Sequence, residues 1–227
     1  MSVLTTLNIN EMFETIQGEG AHTGIPSIFV RLQGCPVGCP WCDTKHTWVI
    51  KPELASTPSD VIKKTEETEH FFECNEDHLL SLFAEQGYVA KHVVITGGEP
   101  CMYDLRPLTT RLHAKGYTTQ IETSGTFEVL CDPQTYVTVS PKVNMKGGMP
   151  VLSSALERAN EIKHPVAMQK HIDELDTLLA MIDSVEGKQI CLQPISQQPR
   201  ATTLAVETCI KRNWRLSLQT HKFIGIE

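Results

Sequence analysis

The sequence has no cluster of basic residues and no long apolar run, and each absence argues against a class of function. The formal net charge is −7 over 227 residues, and no polybasic stretch is present that would bind a nucleic-acid backbone. No apolar run approaches the roughly 20 residues that a membrane-spanning helix needs. We therefore expect no direct nucleic-acid contact and no membrane insertion.

Targeting signals, internal repeats and low-complexity tracts are also missing. The stretch MSVLTTLNINEMFE has no basic region followed by an apolar core, so no signal peptide is predicted. Hydrophobic residues make up 41% and charged residues 21%, which is typical of a soluble globular domain, predicted here to span residues 1–227. We expect a cytoplasmic protein, in which clustered cysteines serve as metal ligands or catalysts more often than as disulfides.

Short apolar, β-branched runs alternate with amphipathic segments along the chain. Strands are predicted at 27–33, 92–96, 118–123, 136–140, 189–194 and 215–220, with a seventh candidate at 164–169. Helices are predicted at 75–87, 152–162, 171–183 and 201–213. This alternation indicates an α/β fold with about six parallel strands, arranged as a barrel or part of one. Residues 49–74 are polar and weakly patterned, and we interpret them as a solvated insertion with a short helix from Ser59.

The segment GCPVGCPWCDTKHTW contains three cysteines, Cys35, Cys39 and Cys42, with the spacing C-x3-C-x2-C. Two kinds of metal site fit this spacing. A structural zinc site needs a fourth ligand, which His46 would supply. A 4Fe–4S cluster held by only three thiolates keeps one iron open for a small molecule. The glycines and prolines of this loop, which follows a predicted strand, favour the cluster because they let backbone amides approach sulfur.

The cysteine spacing resembles the signature of the radical S-adenosylmethionine enzymes. A second motif agrees, since Gly97, Gly98, Glu99 and Pro100 form a GGEP sequence at the end of a predicted strand. In that superfamily the open iron is chelated by the amino and carboxylate groups of S-adenosylmethionine. The resemblance implies reductive cleavage to a deoxyadenosyl radical, and it implies the fold, a partial (βα) barrel with a reduced set of helices.

Longer stretches are similar to one family within that superfamily, 7-carboxy-7-deazaguanine synthase. These stretches are NEMFETIQGEG, GIPSIFVRLQGCPVGCPWCDTKHTW, VSPK, ALERANEIKHPV, LQPIS and SLQTHK. The resemblance implies ring contraction of 6-carboxy-5,6,7,8-tetrahydropterin to 7-carboxy-7-deazaguanine with loss of ammonia, in queuosine biosynthesis. It also implies that hydrogen is removed from C6 and later returned, that the enzyme is a homodimer, and that a reductant such as flavodoxin serves it. A glycyl-radical activase is the alternative within the superfamily, although activases lack FETIQGEG.

The same resemblance implies roles for the other site residues. Ile16, Gln17, Gly18 and Thr96 are expected to contact the pterin, and His221 is a further candidate contact. Arg31 is expected to bind the substrate carboxylate, because a buried arginine needs an anionic partner and its fork fits a carboxylate bidentately. S-adenosylmethionine is expected to contact Gly98, Ser124, Ser140, Pro141, Lys142 and Gln193.

Magnesium is also expected from the resemblance. Thr44, two residues after Cys42, is the predicted ligand, with substrate oxygens and water completing the coordination. Asp43 is the competing candidate, since a carboxylate is the commoner ligand for this ion.

Overall fold

The computed structural model describes residues 6–195 and 198–226, and its frame is one nine-stranded sheet. Ser196, the last residue of the LQPIS stretch, lies outside the described residues. The strands are β1 Leu7–Ile16, β2 Pro26–Leu32, β3 Phe72–Cys74, β4 His92–Gly97, β5 Thr118–Thr123, β6 Tyr136–Val139, β7 Glu161–Val166, β8 Gln189–Pro194 and β9 Arg215–Leu216.

The strand order in the sheet is β3-β1-β2-β4-β5-β6-β7-β8-β9. All neighbouring pairs from β2 to β9 are parallel, whereas β1 pairs antiparallel with both β2 and β3. The α/β partial barrel is therefore confirmed, with seven strands in the parallel part where the sequence predicts about six. A bulge in β1 between Ile9 and Glu11 shifts its register against β2.

Helices cover the outer face of the sheet. They are α1 Pro58–Ile62, α2 Glu76–Glu85, α3 Arg106–Ala114, α4 Ser153–Arg158, α5 Gln169–Leu179, α6 Pro199–Arg212 and α7 Thr220–Ile224. Short 3-10 turns occupy Gly20–His22, Lys45–Thr47, Pro52–Leu54 and Pro100–Met102. None of the helices in the described part of the chain combines the length and apolar character that crossing a bilayer requires.

Side chains alternate between the two faces of each strand, as the pleat requires. In β2, Ile28, Val30 and Leu32 are fully buried in the core, while Phe29 and Arg31 line an open pocket on the other face. Residues from β1 and β8, which stand near opposite edges of the sheet, line the same pocket. The sheet must therefore curve around this pocket, and its strands carry a core on one face and a cavity on the other.

Several elements have bounds that differ from those predicted. The predicted helix 152–162 ends at Arg158, and the chain from Glu161 runs as strand β7, three residues before the predicted 164–169. The predicted strand 215–220 keeps only Arg215–Leu216, because α7 begins at Thr220. β1, β3 and α3 are not among the predicted elements, and β1 extends to Ile16, within the NEMFETIQGEG stretch.

The polar segment 49–74 is more buried than the solvated insertion that the sequence predicts. A short helix does begin within it, at Pro58. Val61, Phe71 and Phe72 are each at most 2% exposed, and Phe72 lies in the core beside β1. Its last residues form β3 and so extend the sheet, which makes this segment a part of the folded sheet edge.

We expect Phe72→Ala to lower the free energy of unfolding by about 3–5 kcal/mol, the usual cost of removing a buried phenylalanine. Glu69→Ala, in the same segment but exposed, should change it by less than about 0.5 kcal/mol. Anaerobic urea unfolding of both variants measures the difference. Equal, small effects would show that the segment does not contribute to the core.

Candidate functional site

A cavity of about 390 Å³ opens at the carboxyl ends of the parallel strands. Parallel α/β folds place their sites at this edge of the sheet. The cavity brings together every site residue predicted from the sequence except Pro141, which is buried: Ile16, Gln17, Gly18, Arg31, Cys35, Cys39, Cys42, Thr44, Thr96, Gly98, Ser124, Ser140, Lys142, Gln193 and His221. Their proximity is a structural fact, whereas the role of each one stays a prediction.

The loop after β2 presents its three thiols to this cavity. Cys35, Cys39 and Cys42 are free of disulfides. Burial raises the pKa of Cys35 to about 12 and also raises the pKa of Cys39. The backbone N–H of Thr44 donates to Cys42 Sγ at 3.4 Å, a contact of the kind that tunes cluster sulfurs. Three soft sulfur donors on one loop fit an iron–sulfur cluster.

His46 does not lie with the thiols. Its Nε2 is 3.6 Å from Glu11 Oε1 and its Nδ1 is 3.4 Å from Glu67 Oε2. Within the described ranges, no three His, Cys, Asp or Glu side chains are close enough to hold a single metal ion. A zinc site needs all its ligands on one ion, whereas a cluster places each thiolate on a different iron. The geometry therefore disfavours the Cys3His zinc alternative.

The GGEP segment closes against the cysteine loop through backbone contacts. The N–H of Gly98 donates to Leu32 O and that of Glu99 to Gly34 O, both at 2.8 Å. A Cβ at Gly98 would lie 2.1 Å from the Gly34 carbonyl oxygen, so only glycine fits there. The exposed backbone edge of this turn borders the thiols and suits the polar methionine end of a cofactor.

Ser124 and Lys142 already have polar partners within the protein. The backbone N–H of Ser124 donates to Glu99 Oε2 at 2.8 Å, and its hydroxyl donates to the same oxygen. Lys142 Nζ donates to Ser140 Oγ at 2.7 Å. Burial lowers the pKa of Lys142, and the nearby Cys39 opposes that shift. Ser124 thus fixes the turn, while Lys142 brings positive charge toward the thiols.

The segment after β1 is fixed by the C-terminal helix. The N–H of Thr220 donates to Gly18 O at 2.9 Å, and a Cβ at Gly18 would lie 2.4 Å from His221 Nδ1. Glycine at position 18 therefore lets the imidazole lie against the backbone, where burial lowers the pKa of His221. Gln17 is itself only 3% exposed. These contacts join the IQG and THK stretches at one wall of the cavity.

Three charged residues of the cavity were missed by the sequence reasoning. Lys163 Nζ lies 2.6 Å from Glu19 Oε2 and 2.9 Å from Glu122 Oε2. Burial opposes ionisation of both glutamates. Lys163 and Gln219 nevertheless lower the pKa of Glu19 to about 2, whereas burial raises the pKa of Glu122 to about 7. The available signal was a charged residue within each of two buried strands, Glu122 in β5 and Lys163 in β7.

Arg31, Thr96 and Glu122 form a row across three neighbouring strands. Arg31 pairs with Thr96 in register, and Glu122 follows the residue that pairs with Ile95. Strands two places apart are separated by about 10 Å, so the row has a cation at one end and a carboxyl group at the other. The Nε of Arg31 donates to Glu11 Oε2 at 2.5 Å, so the expected anionic partner is partly supplied by the protein itself.

Thr44 and Asp43 differ clearly in their surroundings. Thr44 Oγ1 is 3.5 Å from both Cys42 Sγ and Gly97 O, inside the cavity. The Asp43 side chain is 70% exposed and lies 4.0 Å from Lys222. The threonine hydroxyl is therefore the oxygen nearer to the thiols.

Comparison with known proteins agrees with this geometry. Residues 16–154 match the family described as "4Fe-4S single cluster domain". The chain is 58% identical over 218 residues to 7-carboxy-7-deazaguanine synthase of Escherichia coli (strain K12), which covers 96% of this chain and 98% of the relative. The chain belongs to the 7-carboxy-7-deazaguanine synthase family. The predicted family and enzyme class are thus confirmed, and the activase alternative is set aside.

Other members of the family extend the agreement. The synthase of Buchnera aphidicola subsp. Schizaphis graminum is 44% identical over 96% of this chain and 98% of its own. The crystal structure of QueE from Escherichia coli is 57% identical, covers 95% of each chain and superposes with a TM-score of 0.93. The strand order and the cavity therefore belong to a fold that this synthase family shares.

We expect Cys35, Cys39 and Cys42 to be the only cluster ligands. Alanine replacements at the five other cysteines should leave iron content intact, because these thiols lie away from the cavity lining: Cys74, Cys101, Cys131, Cys191 and Cys209. Iron and sulfide analysis of anaerobically reconstituted variants measures this. Loss of the cluster in any one of the five would overturn the assignment, and Cys39→Ala serves as the positive control.

Proposed function

We propose that the chain converts 6-carboxy-5,6,7,8-tetrahydropterin into 7-carboxy-7-deazaguanine, with loss of ammonia, in queuosine biosynthesis. The row formed by Arg31, Thr96 and Glu122 carries this proposal, since it lies in the same cavity as the three thiols. The substrate has a carboxylate at one end and N–H donors at the other. The row offers a guanidinium for the first and carboxyl oxygens for the second.

The thiols and the neighbouring backbone supply the radical half of the site. Cys35, Cys39 and Cys42 would hold the 4Fe–4S cluster, and the cluster with S-adenosylmethionine supplies the radical that takes hydrogen from the substrate. Gly98 lets the cysteine loop pack against the GGEP turn, since a Cβ there would clash with the Gly34 carbonyl, and its backbone lines the cavity where the methionine end would bind. We assign five residues to binding the rest of that cofactor: Ser124, Ser140, Lys142, Gln193 and the buried Pro141.

The opposite end of the cavity suits the aminopyrimidinone edge of a pterin. Adjacent N–H groups bind a carboxylate bidentately, as a guanidinium does. Glu19 is ionised through its contact with Lys163. Burial raises the pKa of Glu122 to about 7, so this carboxyl group exchanges a proton near neutral pH. Ile16, Gln17, Gly18 and His221 form the adjoining wall, where they would contact the ring.

Aromatic side chains form the remaining wall and limit access of water. Phe13 and Phe29 stack with ring centroids 5.4 Å apart, and both line the cavity. Trp48 also lines it, and Trp41, at 48% exposed, stands at its rim. A flat apolar wall favours a planar ring and protects a reactive radical from solvent.

Magnesium, a homodimeric assembly and a reductant such as flavodoxin complete the proposal. Thr44 would bind magnesium beside the substrate carboxylate, because a hard ion takes oxygen ligands and keeps several waters. The resemblance of the sequence supports the dimer and the reductant. A cytoplasmic setting follows from thiols that must stay reduced.

The direct test is anaerobic turnover of the reconstituted enzyme with S-adenosylmethionine, magnesium, dithionite and 6-carboxytetrahydropterin. We expect 7-carboxy-7-deazaguanine and ammonia in equal amounts, and neither product from Cys39→Ala. Cleavage of S-adenosylmethionine with no deazaguanine formed would contradict the proposal while leaving the cluster assignment in place.

Arg31→Lys should weaken substrate binding by about 1–3 kcal/mol, because lysine keeps the charge but loses the fork. Cleavage of S-adenosylmethionine without substrate should continue at the wild-type rate. Calorimetric titration with 6-carboxypterin measures the binding, and product analysis measures the cleavage. Unchanged pterin binding together with failed cleavage would assign Arg31 to the cofactor instead.

Thr44→Ala should abolish or greatly weaken the stimulation of turnover by magnesium, whereas Asp43→Asn should keep it. The reason is position, since both residues line the cavity but the Thr44 hydroxyl lies 3.5 Å from Cys42 Sγ, whereas the Asp43 side chain is 70% exposed and faces Lys222. Turnover measured against magnesium concentration distinguishes the two residues. The reverse pattern, with the response lost only in Asp43→Asn, would make the aspartate the ligand.

A further inference from the structure

Arg31 is held in place by Glu11, a residue that does not line the cavity. Its Nε donates to Glu11 Oε2 at 2.5 Å, and its guanidinium lies 5.9 Å from the centroid of the Phe13 ring. The remaining nitrogens of the guanidinium are therefore the ones left for a ligand in the cavity. The direction in which they point depends on where the Glu11 carboxylate is held.

The polar segment 49–74 holds the other oxygen of Glu11. Lys64 Nζ lies 3.8 Å from Glu11 Oε1, and the Lys64 side chain is 11% exposed. His46 Nε2 lies 3.6 Å from the same oxygen. Burial would raise the pKa of Glu11, but His46, Arg31 and Lys64 lower it to about 2. Glu11 is thus an ionised carboxylate shared between Arg31 and a lysine of the polar segment.

Hydrogen bonds that Lys64 donates to Asn10 and Thr68 fix it in this position. Lys64 Nζ donates to Asn10 Oδ1 at 2.9 Å and to Thr68 O at 3.4 Å. Asn10 Nδ2 donates to Thr68 O at 2.9 Å and to His70 O at 3.1 Å. Asn10 is completely buried, and it pins the end of the segment to the bulge of β1. Hydrogen bonds therefore hold Lys64 in one position, unlike a lysine in a surface ion pair.

The charges around Glu11 do not balance within the protein. Arg31 and Lys64 are two half-buried cations facing one carboxylate. Glu67, which contacts His46 and also attracts Lys64, is 72% exposed, so solvent screens its charge. One positive charge is therefore left over at this end of the cavity. A ligand carboxylate would complete the group.

We propose that Lys64 is a positioning residue for substrate recognition: it holds Glu11 so that the fork of Arg31 faces the cavity, and it supplies the excess charge that selects a carboxylated pterin. This inference rests on the proposed function, and it gives the polar segment a part in substrate specificity. Lys64 acts through Glu11 and Arg31, without touching the substrate itself.

The test compares two ligands and four variants, by calorimetric titration of the reconstituted enzyme with S-adenosylmethionine bound. The ligands are 6-carboxypterin and pterin without the carboxylate. Lys64→Met and Lys64→Gln should weaken binding of 6-carboxypterin about three- to tenfold and leave binding of pterin unchanged. Lys64→Arg should stay within about twofold of the wild type, because it keeps a positive charge beside Glu11, and the role proposed for Lys64 depends on charge and not on a bidentate fork. Lys63→Met, which removes the same charge from the exposed neighbour, should have no effect.

The outcomes separate this inference from the proposed function. A wild-type preference for 6-carboxypterin that survives in both Lys64→Met and Lys64→Gln overturns the role of Lys64 alone. Equal weakening for the two ligands also overturns it, since that would be a structural effect. A wild-type enzyme with no preference for the carboxylated ligand overturns the proposed substrate together with this inference. Iron content and binding of S-adenosylmethionine should match the wild type in every variant.

Discussion

The buried carboxylate of Glu99 is the constraint on which the upper edge of the sheet depends. Glu99 is 1% exposed, and it accepts hydrogen bonds from Cys101 N at 3.0 Å, from the Thr123 hydroxyl at 2.6 Å, and from both the backbone and the hydroxyl of Ser124. A buried carboxylate is tolerated only when its oxygens are satisfied in this way. The same residue donates its N–H to Gly34 O. Glu99 therefore fixes the ends of β4 and β5 and the start of the cysteine loop relative to one another, which sets where the thiols lie above the strands.

A second constraint follows from the pleat, because each parallel strand has one face in the apolar core and the other face in the cavity. The outward residues of β7, Ile162 and Val166, are fully buried against helices, whereas Lys163 and Pro165 line the cavity. A substitution that shifted register by one residue would place a lysine in the core and an isoleucine in the site. The alternation that places apolar side chains in the core therefore also places the site residues in the cavity.

The sequence predicts the local parts of the site well and the long-range parts poorly. The cysteine spacing and the GGEP turn are each contained in a few residues, so their chemistry is readable before folding. Glu122 and Lys163 are 41 residues apart and meet only because β5, β6 and β7 are neighbours in the sheet. The wrong end of the helix 152–162 has a similar cause, since Ile162 fits an apolar helix face and a buried strand equally well. β1 is not predicted because its two asparagines and two glutamates mask the alternation. Two of these side chains, Asn10 and Glu11, anchor segment 49–74 and Arg31.

The charged floor of the cavity has a physical cost, which hydrogen bonds from Gln120 to Glu122 and from Gln219 to Glu19 offset in part. Lys163, Glu19 and Glu122 are nearly withdrawn from water, and desolvating such groups costs more than their mutual attraction returns unless further partners are present. A core of apolar residues at these positions would give a more stable sheet. Burial raises the pKa of Glu122 to about 7, and the negative charge of Glu19, which shares Lys163 with it, adds to that rise. Arg31 at the other end is in the opposite state, as two cations share Glu11. The cavity therefore has a carboxyl group that can take up a proton at one end and excess positive charge at the other. The proposed pterin, with N–H groups and a carboxylate at its two ends, would match both.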